Sequence, residues 1–266
     1  MPVTFDSDPS TPEYLEQFYR RAENTPWKQR GADYMNDPVN KFRLHVITEE
    51  LKRINPGRLL DVGCGAAALA EKLAGETAVD YVGCDLAVTA GGAGNGLFVE
   101  ADAAKLAFSD CIFDAVVCSE VLEHLPEPAR ALSEIGRVLV PGGFALITVP
   151  NWFSLDSLDG STGIVSLAAK LISKQFKHGV NVHLTKMFPA GWKRLIEENE
   201  LTVEFERPVY LFPYIPYLFK RFKEIESGFF SDEQRFGKWM KAEEGFSSNK
   251  LFSNLGQFHF FRCKKK

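Results

Sequence analysis

The sequence lacks the features that mark several common classes of protein. None of its five cysteines forms a CxxC pair or stands at a spacing typical of zinc ligands. The formal net charge of −4 gives no reason to expect a nucleic-acid partner, which would favour a basic face. No apolar run approaches the roughly 20 residues that a membrane-spanning helix needs. What remains is an ordinary globular composition, with 45% hydrophobic and 25% charged residues.

The location in the cell is predicted from two further features. The first residues, MPVTFDSDPS, contain neither a basic stretch nor an apolar stretch, so no signal peptide is expected. Cys64, Cys84 and Cys118 lie in or beside apolar runs, which indicates buried free thiols in a reducing compartment. We therefore expect a cytoplasmic protein. The aromatic stretch from Pro208 to Phe222 is compatible with an acceptor pocket, a membrane surface or a proline-broken core segment, and nothing specifically supports membrane contact.

Between Arg58 and Pro150, short β-rich runs alternate with helical or loop segments. The runs are RLLDV, DYVGCD, GLFVEAD, FDAVVCS and FALITVP. Near-continuous apolar strands belong to a parallel sheet covered on both faces, and their alternation with helices favours a doubly wound α/β domain. Farther along, residues 189–199 predict a helix, and LTVEFERPVYLF and LGQFHFFRC predict two more strands.

A glycine loop follows the first strand and predicts a nucleotide site. Gly63-Cys64-Gly65 leads into the helix-like AAALAEKLA, and glycines there let the backbone approach a ligand. Asp85 ends the next strand, where a carboxylate can accept both hydroxyls of a ribose. Because Gly63, Gly65 and Ala68 also satisfy the dinucleotide fingerprint, the loop alone leaves an NAD-linked dehydrogenase open.

Acidic residues near the loop and at a further strand end separate the two alternatives. Asp61, two residues before Gly63, suits a ligand with an ammonium group and repels a pyrophosphate. Asp102 ends the third run, where it can accept a hydrogen bond from an adenine amino group. The stretch Ser119–Leu125 follows the fourth run, so these sites line one crevice, as expected for such sheets.

Together the motifs resemble the class I S-adenosylmethionine (SAM)-dependent methyltransferases. The resemblance rests on LLDVGCG, VGCDL, VEAD, FDAVVCSEVLEHL and VLVPGGFALITVPN, and it covers about residues 36–150. It implies a Rossmann-like sheet of seven strands in the order 3-2-1-4-5-7-6, with strand 7 antiparallel. It also implies SAM as cofactor, a small-molecule methyl acceptor, and a set of cofactor-binding residues: Asp61, Gly63, Gly65, Asp85, Leu86, Asp102, Ala103 and Ser119. The usual third glycine is Ala67, a mild change.

The segment NKFRLHVI, residues 40–47, is similar to a stretch of the ubiquinone-pathway polyprenyl-hydroxyphenol O-methyltransferases. The resemblance implies that Arg43 holds the carboxylate of SAM, and a planar guanidinium pairs such a group bidentately. The alternative is a solvated helix arginine. The same family carries E-x-x-E-H, matched by Glu120, Glu123 and His124 and linked in some members to a divalent cation. Because E-H also occurs in metal-free methyltransferases, no metal ligand is predicted.

Methyl transfer to a hydroxyl, most simply that of an aromatic, lipid-like or sugar acceptor, benefits from a base with a pKa near 7. His124, after the fourth strand, is the first candidate catalytic residue, and His183, in NVHLTKMF, is the second. The alternative for His124 is a helix-start histidine satisfied by the backbone, and the alternative for His183 is a residue that packs against or caps the following helix. A SAM-binding protein without turnover also remains open, because such motifs report binding and not catalysis.

The chain is expected to form a single domain with four parts. Residues 1–40 form an N-terminal helical cap, 41–150 the SAM-binding core, 151–230 an insertion around the acceptor, and 231–266 the last strand and tail. The cap and insertion are expected to enclose an apolar acceptor pocket with their aromatic side chains, among them Trp27, Tyr34, Trp152, Phe153, Tyr210, Tyr214 and Tyr217.

Overall fold

A computed structural model describes residues 38–75, 78–87, 96–151, 183–209, 232–247 and 256–266. Its strands form one sheet in the order β3-β2-β1-β4-β5-β7-β6. They are β1 (Arg58–Val62), β2 (Asp80–Asp85), β3 (Leu97–Glu100), β4 (Phe113–Ser119), β5 (Leu139–Pro150), β6 (Leu201–Val209) and β7 (Phe258–Lys265). The helices are α1 (Pro38–Ile54), α2 (Ala68–Leu73), α3 (Pro128–Val138), α4 (Pro189–Glu197) and α5 (Glu233–Ser247), with a 3-10 helix at Leu122–His124. The expected strand order is confirmed.

Strands β1 to β5 run parallel, so their carboxyl ends meet along one edge of the sheet. Val62 of β1 is opposite Cys84 of β2 and Cys118 of β4. Strand β7 runs antiparallel between β5 and β6, as expected, and its first residue Phe258 is opposite Pro150. The edge formed by the carboxyl ends of β1 to β5 and the start of β7 is called the carboxyl edge below.

Helices cover both faces of this sheet. On one face α1, α2 and α5 pack on the strands, with Phe42 and Phe236 in the core. On the other face α3 and α4 do so, with Ile135 and Trp192 buried. Each large apolar side chain buried in this way contributes about 1.5–3 kcal/mol. The two cores fix the sheet and thereby the positions of the loops at the carboxyl edge.

The segments after β5 follow their predicted types. Helix α4 begins at Pro189, where the missing N–H costs no helix hydrogen bond, and it buries Trp192 and Ile196. The predicted end at 199 is two residues too long, because Glu197 closes the helix. Strand β5 already begins at Leu139, and its register with β4 shifts before Phe144, so Pro141-Gly142-Gly143 forms an irregularity within the strand.

The predicted cap and insertion lie mostly outside the described residues. Of residues 1–40 only the last three are described, and of 151–230 only Asn151 and residues 183–209. The seven aromatic residues named for the acceptor pocket are outside this part of the chain. Among the helices that are described, none has the length and apolar content needed to cross a membrane.

Candidate functional site

The glycine loop is held against the end of β2 by its own backbone. The amide groups of Gly63 and Cys64 both donate to the carbonyl oxygen of Cys84, at 2.7 and 3.0 Å. Gly63 has φ +76°, and a Cβ placed on it would collide with the side chain of Val121. The position therefore needs glycine for backbone conformation and for space.

Ala67, at the usual third glycine position, adopts the left-handed conformation with φ 59°. A Cβ in this conformation costs about 1–2 kcal/mol. The replacement of glycine is therefore less mild than the sequence indicated, although Ala67 is fully buried and packs in the core.

Asp85, at the end of β2, holds the glycine loop through its side-chain carboxylate. Its Oδ2 accepts a hydrogen bond from the amide of Gly65 and its Oδ1 one from the amide of Ala87, both at 3.0 Å. Each carboxylate oxygen has two lone pairs, which is the acceptor capacity that a site for ribose hydroxyls requires. Leu86, which follows directly, is half-buried.

Asp102 lies beside Asp85, because the amide of Ala101 donates to the carbonyl oxygen of Asp85 at 3.0 Å. It stands two residues beyond the end of β3 and not at the last strand residue, as the sequence indicated. Its Oδ1 accepts a hydrogen bond from the amide of Ala104, and the neighbouring Ala103 is buried. The two acids are thus adjacent at the carboxyl edge.

Asp61 is a buried acid with a partner that the sequence analysis missed. Its side chain accepts a 2.6 Å hydrogen bond from the hydroxyl of Tyr81. Burial raises the pKa of Asp61 to about 7, while the Tyr81 hydrogen bond and the Arg43 charge oppose the shift. Asp61 is opposite Gly83, so Tyr81 on the adjacent strand is its diagonal neighbour. The one signal for this pair in the sequence was that a buried acid needs a hydrogen-bond donor.

Arg43 lies on α1 and is only 6% exposed. Its Nη2 donates to Oδ1 of Asn40 at 2.9 Å, and its Nη1 lies 3.8 Å from Oε2 of Glu120. The guanidinium also stands 5.4 Å from the ring centre of Phe258. The alternative of a solvated helix arginine is therefore wrong. Arg43 joins α1 to the carboxyl edge.

Glu120 is bound from both sides. Thr148 on β5 donates to its Oε1 at 2.9 Å, and Oε2 faces Arg43. Ser119 lies within hydrogen-bond distance of the same threonine hydroxyl, at 2.9 Å. Burial and the neighbouring Glu123 raise the pKa of Glu120 to about 8, with Arg43 acting against them. Glu120 is thus engaged within the protein, in a left-handed backbone conformation with φ 58°.

Glu123, His124 and His183 form a second group, called the acid–histidine cluster below. Glu123 is 2% exposed, and neither of its carboxylate oxygens accepts a hydrogen bond from any residue the structure describes. His124 Nε2 is 3.6 Å from Glu123 Oε1, and the ring centres of the two histidines are 4.9 Å apart. Burial raises the pKa of Glu123 to about 8.

The segment that carries His183 is docked on the 3-10 helix. Thr185 donates its amide to the carbonyl oxygen of Glu123 and its hydroxyl to that of Leu125, each at 3.0 Å. This docking brings together two histidines that are far apart in the sequence. The two predicted catalytic residues, His124 and His183, therefore lie next to each other.

The cluster also fits the divalent cation that the E-x-x-E-H pattern implies for some methyltransferases. One ligand atom from each of the three residues lies within 4.8 Å of the others. A buried carboxylate without a donor and two imidazoles are suitable donors for a first-row divalent cation. Glu120, which the pattern would include, is occupied by Thr148 and Arg43 instead.

Comparison with known proteins identifies the family. Residues 60–147 match the family described as "Methyltransferase domain". A ubiquinone biosynthesis O-methyltransferase of Aliivibrio fischeri is 30% identical over 185 residues, which are 66% of this chain and 76% of the relative. The chain belongs to the SAM-dependent methyltransferases. SAM is the cofactor of this family, and the comparisons give no support to an NAD-linked dehydrogenase.

Two further matches agree with this family, one in sequence and one in fold. A ubiquinone biosynthesis O-methyltransferase of Alkalilimnicola ehrlichii is 34% identical over 135 residues, 47% of this chain. The chain spans only 54% of the length of that relative. The solved Burkholderia thailandensis 1,6-didemethyltoxoflavin-N1-methyltransferase superposes with a TM-score of 0.56 at 13% identity, covering 100% of this chain and 94% of that one. At such identity the likeness shows the fold alone.

Proposed function

We propose that this protein transfers the methyl group of SAM to a hydroxyl of a small aromatic or lipid-like molecule, with a sugar hydroxyl as the second candidate. The acid–histidine cluster carries this proposal, because it places a carboxylate and two imidazoles beside the carboxyl edge. The family match and the name of the relatives, O-methyltransferases in ubiquinone biosynthesis, support it. We also propose a cytoplasmic location.

The cofactor is proposed to lie along the carboxyl edge. Asp85 accepts the ribose hydroxyls, and Asp102 with Leu86 and Ala103 faces the adenine. Gly63 and Gly65 give the methionine part close access to the backbone, and Ser119 contributes through its backbone. Asp61 receives the ammonium group. Arg43, whose guanidinium has five donors, holds the carboxylate while keeping its contact with Glu120.

The transfer itself is an in-line displacement. The acceptor oxygen forms a bond to the methyl carbon as the carbon–sulfur bond breaks, and S-adenosylhomocysteine is released. The protein contributes mainly alignment of oxygen, carbon and sulfur. The hydroxyl proton is proposed to pass to His124, which Glu123 orients at 3.6 Å, with His183 as the second candidate base. A divalent cation at the acid–histidine cluster would instead lower the pKa of the acceptor hydroxyl.

The role of Asp61 predicts a pH dependence of SAM affinity. Its pKa is raised to about 7 in the free protein, and the ammonium group of SAM binds the ionised form. Affinity should therefore increase as the pH rises from 6 to 8 and, below the pKa, decrease by up to about tenfold per pH unit. Asp61→Asn should bind SAM more weakly and lose this component. Calorimetry at several pH values measures it, and the wild-type to variant ratio cancels titration of SAM itself. A ratio independent of pH contradicts the role.

The role of Arg43 predicts selective loss of ligands that have a carboxylate. Arg43→Met should weaken SAM by about 1.5–3 kcal/mol and methylthioadenosine, which lacks the amino-acid part, far less. Arg53→Met on the same helix is the matched control, because its side chain is 64% exposed. Calorimetry with both ligands measures the difference. Equal losses for the two ligands would refute the pairing.

The acceptor class is tested with matched acceptors and labelled SAM. A long-chain catechol, the corresponding aniline and a sugar are offered to the same enzyme, and the site of the methyl group is read by mass spectrometry. We expect transfer to the phenolic oxygen, and His124→Gln should lower the rate while SAM affinity stays unchanged. Transfer to nitrogen alone would overturn O-methylation. The closure of residues 1–40 and 151–230 over the acceptor stays a prediction.

A further inference from the structure

The two carboxylates of the E-x-x-E-H pattern have different surroundings in this protein. Glu120 has one oxygen at Thr148 and the other facing Arg43. Glu123 is buried with no hydrogen bond to either oxygen among the described residues. A buried carboxylate without a donor is costly unless a cation compensates it. Of the two, Glu123 is therefore the one whose surroundings call for an added positive charge.

The nearest nitrogen ligands come from two different segments. His124 follows Glu123 directly, and His183 belongs to a segment that follows β5 in the sequence. One ligand atom from each of the three residues lies within 4.8 Å of the other two. First-row divalent cations take such ligands at about 2.0–2.2 Å, so neighbouring ligand atoms of a tetrahedral site lie about 3.3–3.6 Å apart. The three ligand atoms must therefore move closer together when the cation binds.

We propose that His183 is the third protein ligand of a divalent transition-metal cation that Glu123 and His124 also hold. This inference deepens the proposed function, on which it rests for the identity of the acceptor. In it the cation, and not His124 as a base, activates the acceptor hydroxyl. Two imidazoles and one carboxylate form a set that suits zinc, manganese or iron(II), whereas magnesium prefers oxygen ligands alone. Three protein ligands leave positions open, where an acceptor hydroxyl can bind.

The proposed ligand set joins two parts of the fold. Glu123 and His124 belong to the 3-10 helix after β4, and His183 begins the segment 183–188 that leads into α4. Thr185 already holds this segment to the 3-10 helix through two hydrogen bonds. Binding of a cation is therefore expected to fix residues 183–188 against the carboxyl edge, beside the site of the acceptor.

Manganese binding to the full-length protein tests the ligand set without any acceptor. Pulsed electron paramagnetic resonance detects the nitrogen of each imidazole that coordinates Mn²⁺. We expect two coordinated imidazoles in the wild type and one in His183→Gln. The Kd for Mn²⁺ should rise at least the roughly 10–100-fold that loss of a supporting neighbour costs in metal sites. Zinc should displace manganese, and magnesium should not.

Two further variants serve as controls. His45→Gln removes a half-buried histidine on α1 and should leave both the spectrum and the Kd unchanged. Thr185→Val removes the hydroxyl bond to Leu125 but keeps all ligands, so it should weaken binding while two imidazoles remain. Hydrogen–deuterium exchange should show that manganese protects the Thr185 amide in the wild type and not in His183→Gln. Circular dichroism establishes that each variant is folded.

The outcomes separate this inference from the proposed function. A wild-type spectrum with one imidazole, unchanged in His183→Gln, excludes His183 as a ligand. Absence of manganese binding overturns the cation site, while methyl transfer from SAM to a hydroxyl can still be observed in the same preparation. Conversely, two coordinated imidazoles without transfer to any hydroxyl support the ligand set and contradict the proposed function.

Discussion

Replacing Asp85 with alanine should weaken SAM binding by about 1.5–3 kcal/mol, which is about 10- to 150-fold in Kd. The variant removes the carboxylate proposed to accept the ribose hydroxyls. It also removes the acceptor that holds the Gly65 amide at 3.0 Å, so the loop loses its support. Both effects act on the cofactor, and isothermal titration calorimetry with SAM and S-adenosylhomocysteine measures their sum.

Asp80 provides the matched control for this variant. It is the first residue of the same strand, its side chain is 61% exposed, and it pairs with Arg58 at the opposite end of the sheet. Asp80→Ala should leave the affinity for SAM unchanged. An unchanged affinity in Asp85→Ala, or an equal loss in both variants, would remove Asp85 from the cofactor site.

Replacing Gly63 with alanine should lower the free energy of unfolding by about 2–5 kcal/mol. The left-handed conformation costs a Cβ about 1–2 kcal/mol, and the collision with Val121 adds the roughly 1–3 kcal/mol typical of an overpacked site. SAM binding should be lost as well, because the loop must shift. Urea unfolding of the cofactor-free protein measures the stability, with the slope m showing whether the unfolding transition keeps its character.

Variants at Gly65 and Val121 separate the two causes of this effect, backbone strain and overpacking. Gly65 also has a positive φ, +51°, but no atom lies within 4 Å of its added Cβ. Gly65→Ala should therefore show only the backbone cost. In the double variant Gly63→Ala/Val121→Ala the overpacking should disappear, giving a favourable coupling between the two sites. If Gly63→Ala is no more harmful than Gly65→Ala, the contact with Val121 is not limiting.

Much of the fold follows from local sequence patterns. The apolar runs are short and separated by turn or helix segments, so the strands at Arg58–Val62 and Phe113–Ser119 have the bounds that the runs suggested. The strand order came from the family resemblance and not from the runs, because periodicity does not specify which strands are neighbours. The aligned carboxyl ends then explain why residues from separate motifs, such as Asp61 and Asp85, share one site.

The side-chain pairs of the site could not be read in the same way. Tyr81 on β2 contacts Asp61 diagonally on the adjacent strand β1. His183 contacts His124 because Thr185 holds the segment 183–188 on the 3-10 helix. Such contacts depend on tertiary register, which a local pattern does not contain. The different surroundings of Glu120 and Glu123 depend on a left-handed glutamate, a conformation that sequence does not predict for this residue type.

A single-turnover experiment tests the central claim most directly. Enzyme in molar excess over methyl-labelled SAM is mixed with a long-chain catechol, and S-adenosylhomocysteine and labelled product are quantified together. We expect equal amounts of both, with the label on the phenolic oxygen. Intact SAM that binds tightly at the carboxyl edge, with no methyl transferred to this or any other hydroxyl, would contradict it and leave a cofactor-binding protein without turnover.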